Sequence, residues 1–406
     1  MQRFAQYALL STAVLTMISP RIAVADVSEI ERLIKQLGSD DFSERESASK
    51  RLEAIGEPAW NAVRKAARDD SDAEIRWRCK RAEDAIGRRC FGEIRHFGSK
   101  RDYWLNRVAF SSDGRRALAT GGAVILFDLE TGKELYRVLE VKYARLGLVL
   151  SKDCRYFLTG HDHDKVVRLG SIRSGKEVQR FEGHTAGVRG VALSPDASRA
   201  ATGGLDETLR LWDVKTGREL RQFQSRAGKI RCLAYAPDGR HILSGHFGKK
   251  SNNLVCLWDV DTGKEVRRFE GHSGEVTAVV FLPGGGSFLS ASMDGTLRIW
   301  DLSNGKELRR LEHRGGVNDV KVSPDGCRAL SAGRGDRSVR LWDLASGTEL
   351  YRFVGHTAGV LGVAFSPDGC RALSSDASNI LRLWRLPKPD MAPDKAPHQQ
   401  PVKKKN

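Results

Sequence analysis

Apolar residues follow two different periods along this chain. Val27, Ile30, Leu33, Ile34 and Leu37 recur at helical spacing and stop at Gly38. Asp40, Asp41 and Ser43 offer a polar start to a second helix, whose Ala48, Leu52 and Ile55 lead to Gly56. Pro58 suits the first turn of a third, bearing Ala62, Val63 and Ala66. A fourth is predicted over Ala73–Ile86, with Ile75, Cys79, Ala82 and Ile86 on one face. From residue 91 the period falls to two, as in Val188, Val191 and Leu193, with turns every few residues. Ser323-Pro324-Asp325-Gly326 and Ser366-Pro367-Asp368-Gly369 mark one kind of turn, and Thr216-Gly217 and Thr262-Gly263 another. The pattern predicts a small all-α segment followed by a mainly β domain.

The β region repeats. Trp212-Asp213, Trp258-Asp259, Trp300-Asp301 and Trp342-Asp343 recur at intervals of 46, 42 and 42 residues, and Trp384-Arg385 follows after another 42. Gly170-Ser171 and Phe127-Asp128 hold the same slot in two degenerate units, which makes seven. Over nearly 300 residues the chain resembles the WD40 family, and the resemblance implies a seven-bladed β-propeller of four-stranded blades. Blade 7 lacks an outer strand like Glu265-Val266-Arg267-Arg268-Phe269. Glu93-Ile94-Arg95-His96-Phe97 has that pattern and is expected to close the ring. The helical segment resembles two HEAT-like repeats, through Asp41-Phe42-Ser43-Glu44-Arg45-Glu46 and Ala54-Ile55-Gly56. Two such repeats bury little core, so the segment is expected to lean on the propeller or on a partner.

The family resemblance also implies a buried hydrogen-bond chain of indole, hydroxyl, imidazole and carboxylate in each regular blade. It maps onto His184, Thr202, Asp206 and Trp212 in blade 3, and onto His272, Ser290, Asp294 and Trp300 in blade 5. In blade 6 it maps onto His313, Ser331, Asp336 and Trp342, with one extra residue before Asp336. A Ser/His/Asp set in three blades argues for structure, since a catalytic triad is needed once.

The ends and the charge complete the organisation. Arg3, an apolar run from Tyr7 to Ile18, Pro20 and Ala23-Val24-Ala25 have the order of a secretory signal over residues 1–25. The run is short for a membrane span, and the alternative is an uncleaved anchor. The expected parts are then a helical segment at 26–90, a propeller at 91–386 and a disordered Pro/Lys-rich tail at 387–406. With the signal, the whole resembles exported bacterial WD40 proteins, periplasmic or extracellular. Of the net +16, residues 91–386 hold +12, so the basic charge belongs to the propeller. Among seven cysteines, Cys79 and Cys90 are close enough in sequence to be a candidate pair, whereas Cys154, Cys327 and Cys370 read as small buried hydrophobes.

No phosphate loop, Cys-x-x-Cys pair or helix-borne His/Glu metal motif is present, and no cofactor or metal is expected. His161-Asp162-His163-Asp164 comes nearest to a metal cluster, but neighbours in one turn rarely converge on an ion. WD40 proteins usually bind through the face of outer-to-inner connections and second-to-third-strand turns. That face receives Trp104, Asn106, Leu146 and Arg189, then Lys229, Arg231, Glu275 and Thr277, and also Asn318 and Leu361. Leu205 and Met293 lie beside the structural Asp, and blade 4 has a longer turn with Lys249 and Lys250. Arg189, Lys229, Arg231, Lys249 and Lys250 form a candidate basic patch. The expected function is a non-catalytic scaffold for protein partners, which the patch would make acidic, in a monomer or hetero-complex. Nucleic acid and a membrane span after signal removal are not expected. The rivals are binding of an anionic polymer or acidic surface, and an enzyme using the central channel.

Overall fold

The structure, a computed structural model, describes residues 26–98, 105–138, 147–161, 165–248, 253–388. The signal-like segment, nearly all of the tail, Trp104, Leu146, Asp162, His163, Asp164, Lys249 and Lys250 lie outside the described residues. The chain divides into two compact units that meet between Arg89 and Cys90.

The first unit contains four helices, α1 (Val27–Gln36), α2 (Phe42–Ile55), α3 (Glu57–Asp69) and α4 (Ala73–Cys90). Asp41 caps α2 by accepting the Ser43 N–H at 2.6 Å. Gly56 takes φ 74° between α2 and α3, a conformation that favours glycine, and Pro58 follows in the first turn of α3. Leu33, Leu37, Leu52, Val63 and Ile86 are buried, as the helical spacing predicts, and Trp60 is buried with them. The α4 helix runs on past Ile86, and this corrects the expectation for Cys79 and Cys90. Both thiols are free. Eleven residues of helix separate them by about 16 Å, against the roughly 7 Å between Cα atoms that a disulfide tolerates.

The second unit is a propeller of seven four-stranded antiparallel sheets. Six sheets use four consecutive strands. The seventh joins Val360–Phe365, Arg371–Asp376 and Ile380–Arg385 to Gly92–Gly98, with Glu93 opposite Trp384 and Phe97 opposite Leu381. The N-terminal strand thus fills the missing outer place and leaves the last sheet no open edge there.

Burial explains the sequence of each strand. Third strands such as Thr208–Asp213 are buried almost throughout, because neighbouring blades cover both faces. Outer strands such as Glu219–Gln224 keep only one residue, here Phe223, inside. The apolar core is divided into clusters shared by adjacent blades. Trp212 of blade 3 packs with Leu158 and Phe181 of blade 2, and Trp258 of blade 4 with Ala201 and Leu211 of blade 3. In blade 2 Gly170 stands at the Trp slot, where a Cβ would collide with the Phe157 ring. The fully buried Phe157 fills the room that the indole takes elsewhere.

The Asp of each Trp-Asp pair has a local task. Asp213 Oδ1 accepts the Thr216 N–H and hydroxyl, both at 2.7 Å, and so closes the turn to the outer strand. Asp128, Asp259, Asp301 and Asp343 do the same. Blade 7 has no such turn to close, which accounts for Arg385 in that slot.

Candidate functional site at the mouth of the central channel

The buried polar chains hold the loops of the propeller in place. In blade 3 the Trp212 indole donates to Thr202 Oγ1 at 2.8 Å, and His184 Nε2 lies 2.7 Å from the same oxygen. His184 Nδ1 lies 2.9 Å from Asp206, which also accepts the Thr185 N–H. Burial works to raise the Asp206 carboxyl, but His184, Thr185 and Thr208 outweigh it and hold it well below the usual carboxylate range. Blade 5 repeats the arrangement with Trp300, Ser290, His272 and Asp294 at 2.7–2.8 Å.

Blade 6 departs from expectation. Trp342 donates to Ser331 at 2.8 Å, but His313 bonds neither Ser331 nor Asp336. Asp336 stands 3.5 Å from His313 Nδ1 and is held instead by Arg340 at 2.5 Å. The extra residue in the turn displaces the carboxylate from the imidazole.

Two further networks escaped the sequence pattern. In blade 7 Trp384 donates to Ser374 at 2.6 Å, and His356 lies 2.6 Å from Ser374 and 2.7 Å from Asp376. In blade 4 Trp258 donates to Ser244, whose hydroxyl lies 2.7 Å from His246 Nε2 on the same strand. Burial pushes His246 down to about 4. An arginine then extends several networks outward. Arg210, Arg298 and Arg340 reach Glu219, Glu307 and Glu349 on their outer strands at 2.6–3.0 Å.

On one face, the second-to-third-strand turns of blades 3, 5, 6 and 7 are tied to the connections entering those blades. The Leu205 N–H donates to Gly187 O, Met293 to Glu275 O, Arg334 to Gly316 O and Ala377 to Gly359 O. Leu205 and Met293 are half-buried there, with the Met293 thioether lying over Gly316. The channel opens at this face as a cavity of about 530 Å³.

Among the described residues the cavity lining contains five arginines, Arg107, Arg189, Arg231, Arg334 and Arg337, and no carboxylate. Arg107 crosses from blade 1 and donates to Leu361 O at 2.9 Å and Asn318 O at 3.2 Å, with Asp319 at 3.4 Å. Gly362 makes the crossing feasible, since a Cβ there would press on Arg107 Cα and Asn106 O. Arg189 lies over the Phe247 ring at 5.3 Å. Arg231 is paired with Glu275 and only 13% exposed. Burial pulls its guanidinium down to about 10; Glu275 opposes the shift, while Arg107 and Arg189 add to it. Arg334 and Arg337 are exposed on the lengthened blade 6 turn.

This geometry revises the basic patch. Arg189 and Arg231 converge on the cavity, but Arg231 is a buried, ion-paired side chain and not a free surface charge. Lys229 is exposed beside it. Asn106, Asn318 and Leu361 also line the mouth, whereas Thr277 is buried and donates to Val317 O at 2.7 Å. Arg107, Arg334 and Arg337 were missed; a charge at an inner-strand slot held by glycine in blade 7, and the extra blade 6 residue, were the available signals. Among the described residues no group of three or more His, Cys, Asp or Glu could hold a metal ion.

No curated protein compared with the chain matches it. The sequence model of the WD domain, G-beta repeat, matches residues 175–213, 217–259, 263–301, 305–343 and 347–385. These segments end at Asp213, Asp259, Asp301, Asp343 and Arg385, the last residues of five third strands. The chain is therefore a WD40-repeat protein, with five repeats that match the family within a propeller of seven blades.

Proposed function

We propose that this protein is a non-catalytic interaction scaffold that presents the channel-mouth face of its propeller to protein partners. WD40 propellers generally mediate protein interactions. The observation that carries the reading here is the cavity at the centre of that face, whose lining is contributed by six of the seven blades. The Ser/His/Asp sets are consumed in indole-anchored networks that repeat from blade to blade, which supports a structural role for them. Location follows the signal-like segment: the protein is exported. No helix among the described residues is long and apolar enough to cross a membrane.

The test compares partner capture by three forms of the purified protein from an envelope extract. One is wild type. The second carries Lys229→Glu, Arg334→Glu and Arg337→Glu at the mouth, and the third Lys215→Glu and Lys264→Glu in turns of the opposite face. A partner held by wild type and the third form, and lost by the second, is the expected result. Identical capture by all three rules out this face.

A further inference from the structure

We infer that the channel mouth is an anion site built for the carboxylates of an acidic peptide segment. The inference rests on the partner-binding reading and specifies the chemistry of the partner. Among the described residues, five arginines and no carboxylate line one cavity of about 530 Å³. The acidic side chains described around it are engaged, Asp319 with Arg107, Glu275 with Arg231 and Asp336 with Arg340. Arg334 and Arg337 make no ion pair among the described residues, which leaves positive charge at the rim. Arginine in such a place offers planar forks that match carboxylates, and partial exclusion of water strengthens each contact.

The site is fixed before any ligand arrives. Arg107 is held by main-chain oxygens from blades 6 and 7, which makes a floor across the channel. Arg231 is oriented by Glu275, and Arg189 by the Phe247 ring. Little side-chain freedom is then left to lose on binding. Arg334 and Arg337 sit at the exposed rim, where they would meet an approaching acidic chain first. The wall opposite Arg189 and Arg231 is formed by Leu361, Ala358 and Ala377 of blade 7. An apolar wall facing a row of arginines suits a peptide with its own apolar atoms better than a bare inorganic ion, which would leave most of the cavity to water.

The test is fluorescence anisotropy of a labelled hexaglutamate peptide with an amidated end, at low and moderate salt. Hexaglutamine is the neutral control. The acidic peptide should bind saturably, and Arg189→Gln with Arg231→Gln should weaken it at least tenfold while removing most of its salt dependence. Lys215→Gln with Lys264→Gln, the same charge loss on the opposite face, should leave affinity unchanged. Arg334→Gln with Arg337→Gln, at exposed positions, should weaken binding severalfold and provides the comparison if the buried pair does not fold. Equal affinity for both peptides, or equal loss from either face, overturns the inference. So does saturable binding of inorganic phosphate without binding of the peptide. If the acidic peptide fails while partner capture still depends on the mouth, the scaffold reading stands and only the acidic chemistry falls.

Discussion

Asp376 reaches His356 from a backbone position two residues earlier in its blade than the one from which Asp206 reaches His184. The His–Asp separation is 20 residues in blade 7 and 22 in blade 3, yet the contacts are 2.7 and 2.9 Å. Asp376 stands where blade 3 has Gly204, a position at which a Cβ would collide with Asp206 and His184. Ser378 stands where blade 3 has Asp206. One carboxylate can be delivered from either place, but not from both.

That relationship predicts a swap. Asp376→Gly should cost about 1–3 kcal/mol by orphaning the buried His356. Adding Ser378→Asp to it should restore most of the loss, as the carboxylate then arrives by the blade 3 route. In blade 3, Gly204→Asp alone should destabilise. Thermal melting of the variants checks all three, with a few degrees per kcal/mol to be read.

Acid should weaken the propeller through two histidines. His246 and His313 are buried and lowered to about 4 from 6.5, in both cases chiefly by burial. A depressed pKa means that the unfolded chain takes up the proton first. Stability is thus complete above about pH 6.5 and is lost as pH falls towards 4, by about 3 kcal/mol for each group. His313 has no hydrogen-bond partner for either ring nitrogen among the described residues. His313→Leu should therefore flatten the acid loss without lowering stability at pH 8, whereas His246→Leu should lower it. Denaturant melts at pH 4.5, 6 and 8 distinguish these outcomes.

Ring closure makes a truncation experiment decisive. A chain that starts at Arg89 keeps the strand Gly92–Gly98, and one that starts after Gly98 loses it. The shorter chain should melt lower and aggregate, because Ile380–Arg385 is left as an unpaired edge. Equal melting of the two would refute the closing role.

Export carries its own check. The Ala23-Val24-Ala25 pattern places cleavage before Asp26. Intact-mass measurement of the protein from its own cell should find Asp26 at the N-terminus, and retention of Met1 on a cytoplasmic species would oppose it.

The propeller was legible in the sequence because its period, turns and alternation all point the same way. The closing strand was legible for the same reason, since Glu93 to Phe97 repeats the outer-strand pattern. The networks were legible only where spacing is regular, as in blades 3 and 5. Blade 6 was overread: counting residues cannot show that one insertion turns Asp336 towards Arg340. Blade 7 was underread, because Asp376 supplies its carboxylate from an unexpected slot. At the mouth, Arg189 and Arg231 follow from strand register, but the partner of Arg231 does not. Arg107 shows in the sequence only as a charge at the slot that glycine holds in blade 7, and its reach to the carbonyls of Asn318 and Leu361 does not show at all.

The pairing of Gly92–Gly98 with Ile380–Arg385 also sets a clock. Nearly the whole propeller must be synthesised between the two strands, and at 5–20 residues per second that takes on the order of 15–60 s. Throughout that interval the first strand has no mate, while six other sheets can assemble from consecutive strands. The slowest contact of the fold is thus its most distant in sequence. A nascent chain that meets another before residue 385 is made can exchange that strand with its neighbour.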